Sequence, residues 1–152
     1  VVEHVSFTFQ IDGISRACSH QLVRHRIASF TQKSQRYVNE SQFEYVTPLT
    51  INNNDVLLDY YNHLMDEIQK TYDILISYGI PKEDARYVLP NACTTSLTLT
   101  MNLRSLLNFW KLRTDKHAQW EIRELANRML KQVLEVIPNL KDSIMEVINV
   151  RL

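Results

Sequence analysis

Glycine is nearly absent from this chain of 152 residues, which contains only Gly13 and Gly79. A P-loop and a Gly-rich dinucleotide-binding turn each need several glycines at fixed spacing, so the sequence excludes both kinds of site. The rest of the composition is typical of a folded protein, with 45% hydrophobic residues and 17 basic against 17 acidic residues. Any nucleotide that this protein binds must therefore be held by side chains.

Cysteine is equally scarce, since Cys18 and Cys93 are the only two and form no Cys-x-x-Cys pair. This usage is typical of a reducing compartment, so we predict a cytoplasmic protein. His4, His20 and His63 lack metal-ligand spacing, and we predict no metal site. No apolar run approaches the ~20 residues that a membrane helix needs, so we predict no membrane association.

Hydrophobic patterns predict an α+β fold, in which helices pack around a small mixed or antiparallel sheet. At this length one domain is the simplest organisation, over residues 1–152. The predicted elements are a strand over 5–11 closed by a turn at Asp12-Gly13, a helix from 14 to about 26, an extended loop or irregular strand over 27–39, a helix from an N-cap at Asn54 to a stop at Gly79 and Pro81, a helical turn over 81–87, a strand over 94–101, and helices over 102–112, 118–137 and about 139–147.

Two of these helices carry apolar stripes that we expect to be buried. The stripes are Leu57, Tyr61, Leu64, Ile68, Tyr72 and Leu75 in the helix after Asn54, and Leu103, Leu106, Leu107 and Trp110 in helix 102–112. Arg104 and Asn108 lie opposite the second stripe, which by itself indicates an ordinary solvated face. Arg113 and His117 share a face only if that helix continues past residue 113.

Between Asp12 and Glu40 the chain has no acidic residue. The same segment carries seven basic side chains, namely Arg16, His20, Arg24, His25, Arg26, Lys33 and Arg36. Hydroxyl and amide side chains alternate with the last of these cations, at Ser29, Thr31, Gln32, Ser34 and Gln35. Fixed positive charge combined with directional donors is what a phosphate group needs, so the segment predicts an anion site.

The stretch from Arg24 to Arg36 also fits Arg-His-Arg-x-x-Ser-x-x-x-x-Ser-x-Arg at every defined position. By this motif the chain resembles the flavin-dependent thymidylate synthases. Residues 83–90, 102–104, 108–113 and 117–121 are similar to the same family, and the resemblance runs from about residue 4 to about residue 134.

The resemblance implies a reductive methylation of dUMP to dTMP. Methylenetetrahydrofolate donates the carbon, FADH2 donates the hydride, and NADPH reduces the flavin. It implies that FAD contacts Arg24, His25, Arg26, Gln32, Asn102, Arg104, Asn108 and His117. It implies that dUMP contacts Gln21, Arg24, Gln32, Ser34, Gln35, Arg36, Arg86 and Arg113. Arg113 is the implied catalytic residue, because a guanidinium stays cationic and can stabilise charge that develops on the pyrimidine. A homotetramer with active sites at subunit interfaces is also implied.

The chain departs from the family in two respects. Gln32 stands where many members carry glutamate, so the amide keeps hydrogen bonding but loses a negative charge. The family also has a segment before the first strand, with a histidine and a hydroxyl residue near the flavin. We expect residues 1–152 to be a catalytic domain that lacks this N-terminal segment.

Two other functions remain open at this point. The first is a non-catalytic flavin- or nucleotide-binding paralogue, or one half of a split enzyme. The second is a nucleic-acid-binding module that uses residues 16–36, with Phe30 and Tyr37 as stacking surfaces. Zero net charge and a single basic segment argue against the second, and we predict no nucleic-acid partner.

Overall fold

The computed structural model describes residues 1–148 and confirms the predicted α+β class. Its elements are β1 (Ser6–Ser15), α1 (Arg16–Leu22), β2 (Ser29–Gln32), α2 (Leu49–Asn52), α3 (Asp55–Ser77), α4 (Lys82–Ala85), β3 (Thr94–Asn102), α5 (Leu103–Arg113), α6 (Trp120–Val136) and α7 (Lys141–Ile148). Short 3₁₀ turns occupy Arg86–Val88 and Pro138–Leu140. In the described chain, no helix is both long enough and apolar enough to span a membrane.

The three strands form one sheet in the order β1-β3-β2. β1 and β3 are antiparallel: Thr8 and Thr100 share a side-chain hydrogen bond of 2.9 Å, and Thr98 donates one of 2.9 Å to Gln10. Along β3 every second side chain is buried, as the alternation of apolar and hydroxyl residues predicts. The alternation of apolar and hydroxyl residues along β3 therefore places the apolar side chains on the buried face of the sheet.

The chain divides into two compact units, each with its own buried side chains. The first unit comprises Val1–Ile11, Cys18–Thr31 and Leu97–Leu152, and the second comprises Asp12–Ala17 and Gln32–Ser96. The prediction of a single domain stays a prediction.

Helices α5, α6 and α7 form the helical part of the first unit, where α5 packs against both of the others. Asn102 caps α5, its side-chain oxygen accepting a hydrogen bond of 2.9 Å from the backbone of Ser105. The stripe predicted for α5 is wrong at one position, because Leu107 is only half-buried while Phe109 is fully buried. Phe109 and Trp110 fill the interior side by side, so the buried face of α5 is broader than the predicted one.

Helix α3 is the longest element of the second unit. Asn54 caps it as predicted, accepting a hydrogen bond of 3.1 Å from the backbone of Leu57. It ends before Gly79, whose φ of +81° suits a residue without a side chain, and Pro81 follows. The predicted stripe of α3 is wrong at Leu57 and Leu64, which are 50% and 54% exposed. Tyr72 of the predicted stripe is fully buried, and Met65, which the stripe did not include, is buried as well.

The start of the chain also differs from the prediction. β1 does not turn at Asp12 but continues through Gly13 to Ser15. Gly13 has a φ of +74°, which glycine adopts without a steric penalty, so the strand bends instead of reversing. Helix α1 then starts two residues later than expected and ends at Leu22, where backbone bonds of the i to i+3 type from Arg24 and His25 tighten the chain. This early end frees residues 24–28 to lead into β2.

Replacement of the α3 cap tests the energetics of the second unit. We expect Asn54→Ala to lower the free energy of unfolding by about 1 kcal/mol, because the first-turn amide of Leu57 loses its partner. Urea denaturation measures the change. Asn127→Ala, on the exposed side of α6, is the control for losing an amide side chain without a cap. Equal stabilities of the two variants would contradict the capping role.

Candidate functional site

A pocket of about 620 Å³ lies in the first unit, and we call it the arginine pocket. Its lining comes from the segment after α1 and from the end of β3 and α5: Arg24, His25, Arg26, Ile27, Met101, Arg104, Ser105, Asn108, Leu112 and Arg113. Four of these residues are arginines, and none of the described residues that line it is acidic. A concave site with this charge attracts anions, and its volume is that of a cofactor or substrate site.

Helix α5 supplies one wall of the arginine pocket. Arg104 and Asn108 are four residues apart and therefore lie on one face, and both are exposed. The opposite face is held in the interior by Phe109 and Trp110, which are fully buried. The polar face formed by Arg104 and Asn108, which by sequence alone indicated an ordinary solvated surface, is thus one wall of the arginine pocket.

Arg113 and His25, which both line the pocket, are joined by a side-chain hydrogen bond. The Arg113 Nε–H donates a hydrogen bond of 3.0 Å to Nε2 of His25, whose ring also stacks edge-to-face on Phe109 at 4.9 Å. Burial first, and then the Arg113 cation, lower the pKa of His25 below 6.5. The imidazole is therefore neutral at neutral pH and carries its proton on Nδ1, since Nε2 is the acceptor.

The structure brings most of the expected flavin residues together, but not all of them. Five of the eight line the arginine pocket together with Arg113, namely Arg24, His25, Arg26, Arg104 and Asn108. Asn102 is occupied as the cap of α5, and Gln32 belongs to the second unit, where its side chain donates to Thr95 at 3.2 Å. Gln21 lies half-buried on α1 and is not part of the pocket lining.

His117 does not share a helical face with Arg113. Helix α5 ends at Arg113, where the Trp110 carbonyl accepts hydrogen bonds from both the backbone and the hydroxyl of Thr114. His117 lies in the following loop, exposed, with its Nδ1 2.8 Å from the Asp115 carboxylate. The helical continuation that would bring His117 beside Arg113 is therefore wrong.

The second unit contains a second cationic cluster, formed by Ser34, Gln35, Arg36, Glu83 and Arg86. Arg36 donates through Nε and Nη2 to one oxygen of Glu83, at 3.3 and 2.9 Å, and Arg86 Nε donates to the Glu83 carbonyl at 3.0 Å. Two arginines that are 50 positions apart in sequence, and that we expected to bind one phosphate, thus converge on one residue. Glu83, the shared partner of the two arginines, was not among the site residues expected from the sequence.

Two further features of this cluster favour an anionic ligand. The side-chain nitrogen of Gln35 is buried and meets no acceptor within residues 1–148. A third arginine, Arg16, lies close enough for its pKa to be lowered, first by burial and then by the Arg86 cation, while Glu40 opposes the change. A ligand with acceptor oxygens and negative charge would satisfy the amide and relieve the repulsion between the cations.

Neither cysteine is a candidate nucleophile. Cys18 and Cys93 are both buried and free, and burial above all raises the pKa of each thiol to about 12. A thiol with this pKa is protonated at neutral pH and reacts poorly. Among the residues that the structure covers, no group of three or more His, Cys, Asp or Glu side chains could hold a metal ion.

Known proteins are similar to this chain over most of its length. The family model described as thymidylate synthase complementing protein matches residues 1–139. The chain belongs to the thymidylate synthase complementing protein family. The chain is 48% identical to a flavin-dependent thymidylate synthase of Clostridium tetani over 91% of its length, and 49% identical to one of Geobacter sulfurreducens over 92%. A third, from Pyrococcus abyssi, is 47% identical over 88% of this chain. These relatives confirm the resemblance that the motif indicated.

The chain spans about three-fifths of the length of these relatives, with 62%, 61% and 56% of the three proteins covered. The matched part includes both the arginine pocket and the Arg36–Arg86 cluster, since both lie within residues 1–139. The region that is similar to the family therefore includes both candidate sites.

The contact between Arg113 and His25 predicts a pH dependence. We expect the pKa of His25, followed by NMR, to lie below 6.5, and to rise but stay below 6.5 in Arg113→Gln, because burial is the larger cause. Since the folded-state pKa is depressed, the stability that neutral His25 contributes is present above pH 6.5 and is lost as pH falls through the lowered pKa. His25→Asn serves to assign the signal. An unchanged pKa in Arg113→Gln would show that the contact is absent in solution.

Proposed function

We propose that this chain carries the catalytic core of a flavin-dependent thymidylate synthase. The observation that supports this most strongly is the arginine pocket, in which the Arg24-His25-Arg26 triplet and the face of α5 meet around a cavity without acidic side chains among its described lining. The reaction is the conversion of dUMP to dTMP, with methylenetetrahydrofolate as the carbon donor. Bound FAD, reduced by NADPH, supplies the hydride.

The arginine pocket is the FAD site in this proposal. A dinucleotide carries a pyrophosphate, and guanidinium groups bind phosphate oxygens through paired, charge-assisted hydrogen bonds. Arg24, Arg26 and Arg104 are suited to this part, while Asn108 offers both a donor and an acceptor. Since glycine-rich phosphate loops are excluded, side-chain recognition is the mode that the chain has available.

The Arg36–Arg86 cluster binds the phosphate of dUMP in this proposal. The Nε and Nη2 donors of Arg36 are held by one Glu83 carboxylate oxygen, which accepts hydrogen bonds as a phosphate oxygen does. On binding, the nucleotide phosphate replaces Glu83, while Ser34 and the buried amide of Gln35 complete the site. This assigns one function to four residues that the structure places in the second unit.

Arg113 is the catalytic residue in this proposal. Its guanidinium is cationic at any working pH and stabilises negative charge that develops on the pyrimidine during methylation. Neutral His25 accepts a hydrogen bond from Nε of Arg113 and so fixes the orientation of the guanidinium without competing for its charge. The high pKa of both thiols favours a route without a cysteine nucleophile.

The active protein is proposed to be a homotetramer with active sites at subunit interfaces. Six large apolar side chains on or next to α3 are at least half exposed and recur at helical spacing: Val56, Leu57, Tyr60, Leu64, Ile74 and Tyr78. Monomeric proteins rarely expose contiguous apolar patches above a few hundred Å². Pairing with a second copy of the chain would remove this apolar face from water.

Absorption spectroscopy combined with gel filtration tests the function. The chain is incubated with FAD, separated, and reduced anaerobically by NADPH with and without dUMP. We expect flavin to elute with a tetramer-sized peak and to bleach faster with dUMP, and dTMP to form once methylenetetrahydrofolate is added. Retained flavin and bound dUMP without any product would instead favour a non-catalytic paralogue or half of a split enzyme. A chain that retains no flavin would contradict the assignment of the arginine pocket.

A charge-matched pair of variants tests the flavin pocket. Arg104→Gln is expected to weaken FAD binding about tenfold or more, because one charged contact to the dinucleotide is lost. Arg128→Gln removes an arginine from the exposed side of α6 and should leave FAD binding unchanged. Equilibrium dialysis gives both dissociation constants. Equal constants for the two variants would remove Arg104 from the FAD site.

Substitution of Arg36 tests the phosphate cluster. Arg36→Lys keeps the charge but loses the planar pair of donors, so we expect the Kd for dUMP to rise at least about tenfold while FAD binding is unchanged. Isothermal titration calorimetry measures the nucleotide, and the deoxyuridine nucleoside serves as the ligand without a phosphate. If Arg36→Lys lowers the affinity for deoxyuridine as much as the affinity for dUMP, Arg36 does not contact the phosphate.

A further inference from the structure

An ion pair closes the base of the segment that carries Ser34, Gln35 and Arg36. Lys33 Nζ lies 3.0 Å from Oε2 of Glu40, so residues 33 and 40 form a clip around the six residues between them. We call residues 33–40 the clipped loop. Lys33 belongs to the basic segment that predicts an anion site, whereas Glu40 was not among the residues expected to act there.

Both ends of the clipped loop are also fixed through their backbones. The Lys33 amide donates a hydrogen bond of 2.9 Å to the carbonyl of Ser96 on β3. The Glu40 amide donates one of 3.2 Å to the hydroxyl of Tyr72 on α3, and Tyr72 is fully buried. The clip therefore joins a strand and a helix of the second unit at the two points where the loop begins and ends.

A buried ion pair such as Lys33–Glu40 contributes little to the stability of the fold. The Glu40 side chain is only 5% exposed, while that of Lys33 is 32% exposed. The second carboxylate oxygen of Glu40 is buried and meets no hydrogen-bond donor in the described chain. Burying a carboxylate with one partner is costly, and an apolar pair of similar size commonly gives equal or better stability. The buried ion pair between Lys33 and Glu40 therefore indicates that the loop between them must keep a defined conformation.

The loop inside the clip is short and ordered by its own bonds. The Ser34 carbonyl accepts backbone bonds from Tyr37 at 3.3 Å and Val38 at 3.1 Å, and the Ser34 hydroxyl accepts one of 3.3 Å from the Arg36 amide. The Arg36 side chain is 51% exposed, and its direction is fixed by this turn, by Glu83 and by the Tyr37 ring of the same loop, whose centroid lies 5.5 Å from the guanidinium carbon. A change in the distance between residues 33 and 40 would therefore move Arg36.

We propose that Glu40, acting through Lys33, is a positioning residue that sets the affinity of the clipped loop for the phosphate of the nucleotide substrate. This inference rests on the proposed function, because it takes Arg36 to be the phosphate ligand. Glu40 touches neither the phosphate nor the reacting atoms. It holds the loop in the one conformation in which Ser34, Gln35 and Arg36 can all face the same anion.

A double-mutant cycle tests the clip. Glu40→Gln, Lys33→Met and the double variant are compared with Glu124→Gln, which breaks an exposed ion pair with Arg128 on α6. We expect each clip variant to raise the Kd for dUMP about tenfold, equal to about 1.4 kcal/mol, and Glu124→Gln to leave it unchanged. The double variant should bind no more weakly than the weaker single one, because both singles break the same interaction.

Three readouts separate positioning from a merely structural role. Binding of deoxyuridine, retention of FAD and the kcat at saturating dUMP should all stay within about twofold of the wild type, while the KM for dUMP rises. A parallel loss of affinity for deoxyuridine and for FAD would instead show general damage to the fold and overturn the proposal. If Glu40→Gln fails to fold, the double variant of Glu40→Gln and Lys33→Met carries the test, since it leaves no buried charge without a partner.

The result also distinguishes this inference from the function on which it rests. In one outcome the wild type binds dUMP, with binding weakened by Arg36→Lys but unchanged in Glu40→Gln and Lys33→Met. That result would overturn only the positioning role of the clip. A wild-type chain that does not bind dUMP overturns both.

Discussion

Several guanidinium groups are held close together in this protein without carboxylates to neutralise them, and the rest of the structure serves this constraint. The four arginines of the arginine pocket surround one cavity, and packing elsewhere in the first unit keeps the elements that carry them in place. The buried side of α5, filled by Phe109 and Trp110, supplies part of this packing. A cavity lined by cations, with no acidic residue among its described lining, attracts an anionic ligand.

The two cationic sites hold their arginines in different ways. In the arginine pocket, His25 accepts a hydrogen bond from Arg113 while staying neutral, so the cation is oriented without loss of its charge. In the second unit, Glu83 pairs with Arg36 directly and neutralises it. A ligand of the first site is attracted by free charge, whereas a ligand of the second must compete with a carboxylate. Because the Arg36–Glu83 pair is half exposed and solvent-screened, that competition is weak and a phosphate can win it.

The sequence predicted the fold class and most elements, since these depend on local periodicity and turn chemistry. The alternation along β3 and the cap at Asn54 needed only neighbouring residues to be recognised. The errors occurred where tertiary contacts decide the result. Leu57 and Leu64 follow the helical period but face outward, and β1 continues past Gly13, because pairing in a sheet and packing between elements override local preference.

The candidate site shows the same division between local and long-range information. The motif identified the basic residues from 24 to 36, and the pocket lining includes three of them, Arg24, His25 and Arg26, together with residues of α5, more than 70 positions later in sequence. The acid-free segment ends at Glu40, and this boundary was the only sign of the residue in the sequence. Glu40 forms its ion pair with Lys33 because six residues turn the chain between them and because the buried Tyr72 hydroxyl holds the Glu40 amide. An acidic residue just outside a basic segment can therefore be the partner that shapes it, and such boundaries are worth inspecting wherever a phosphate site is expected.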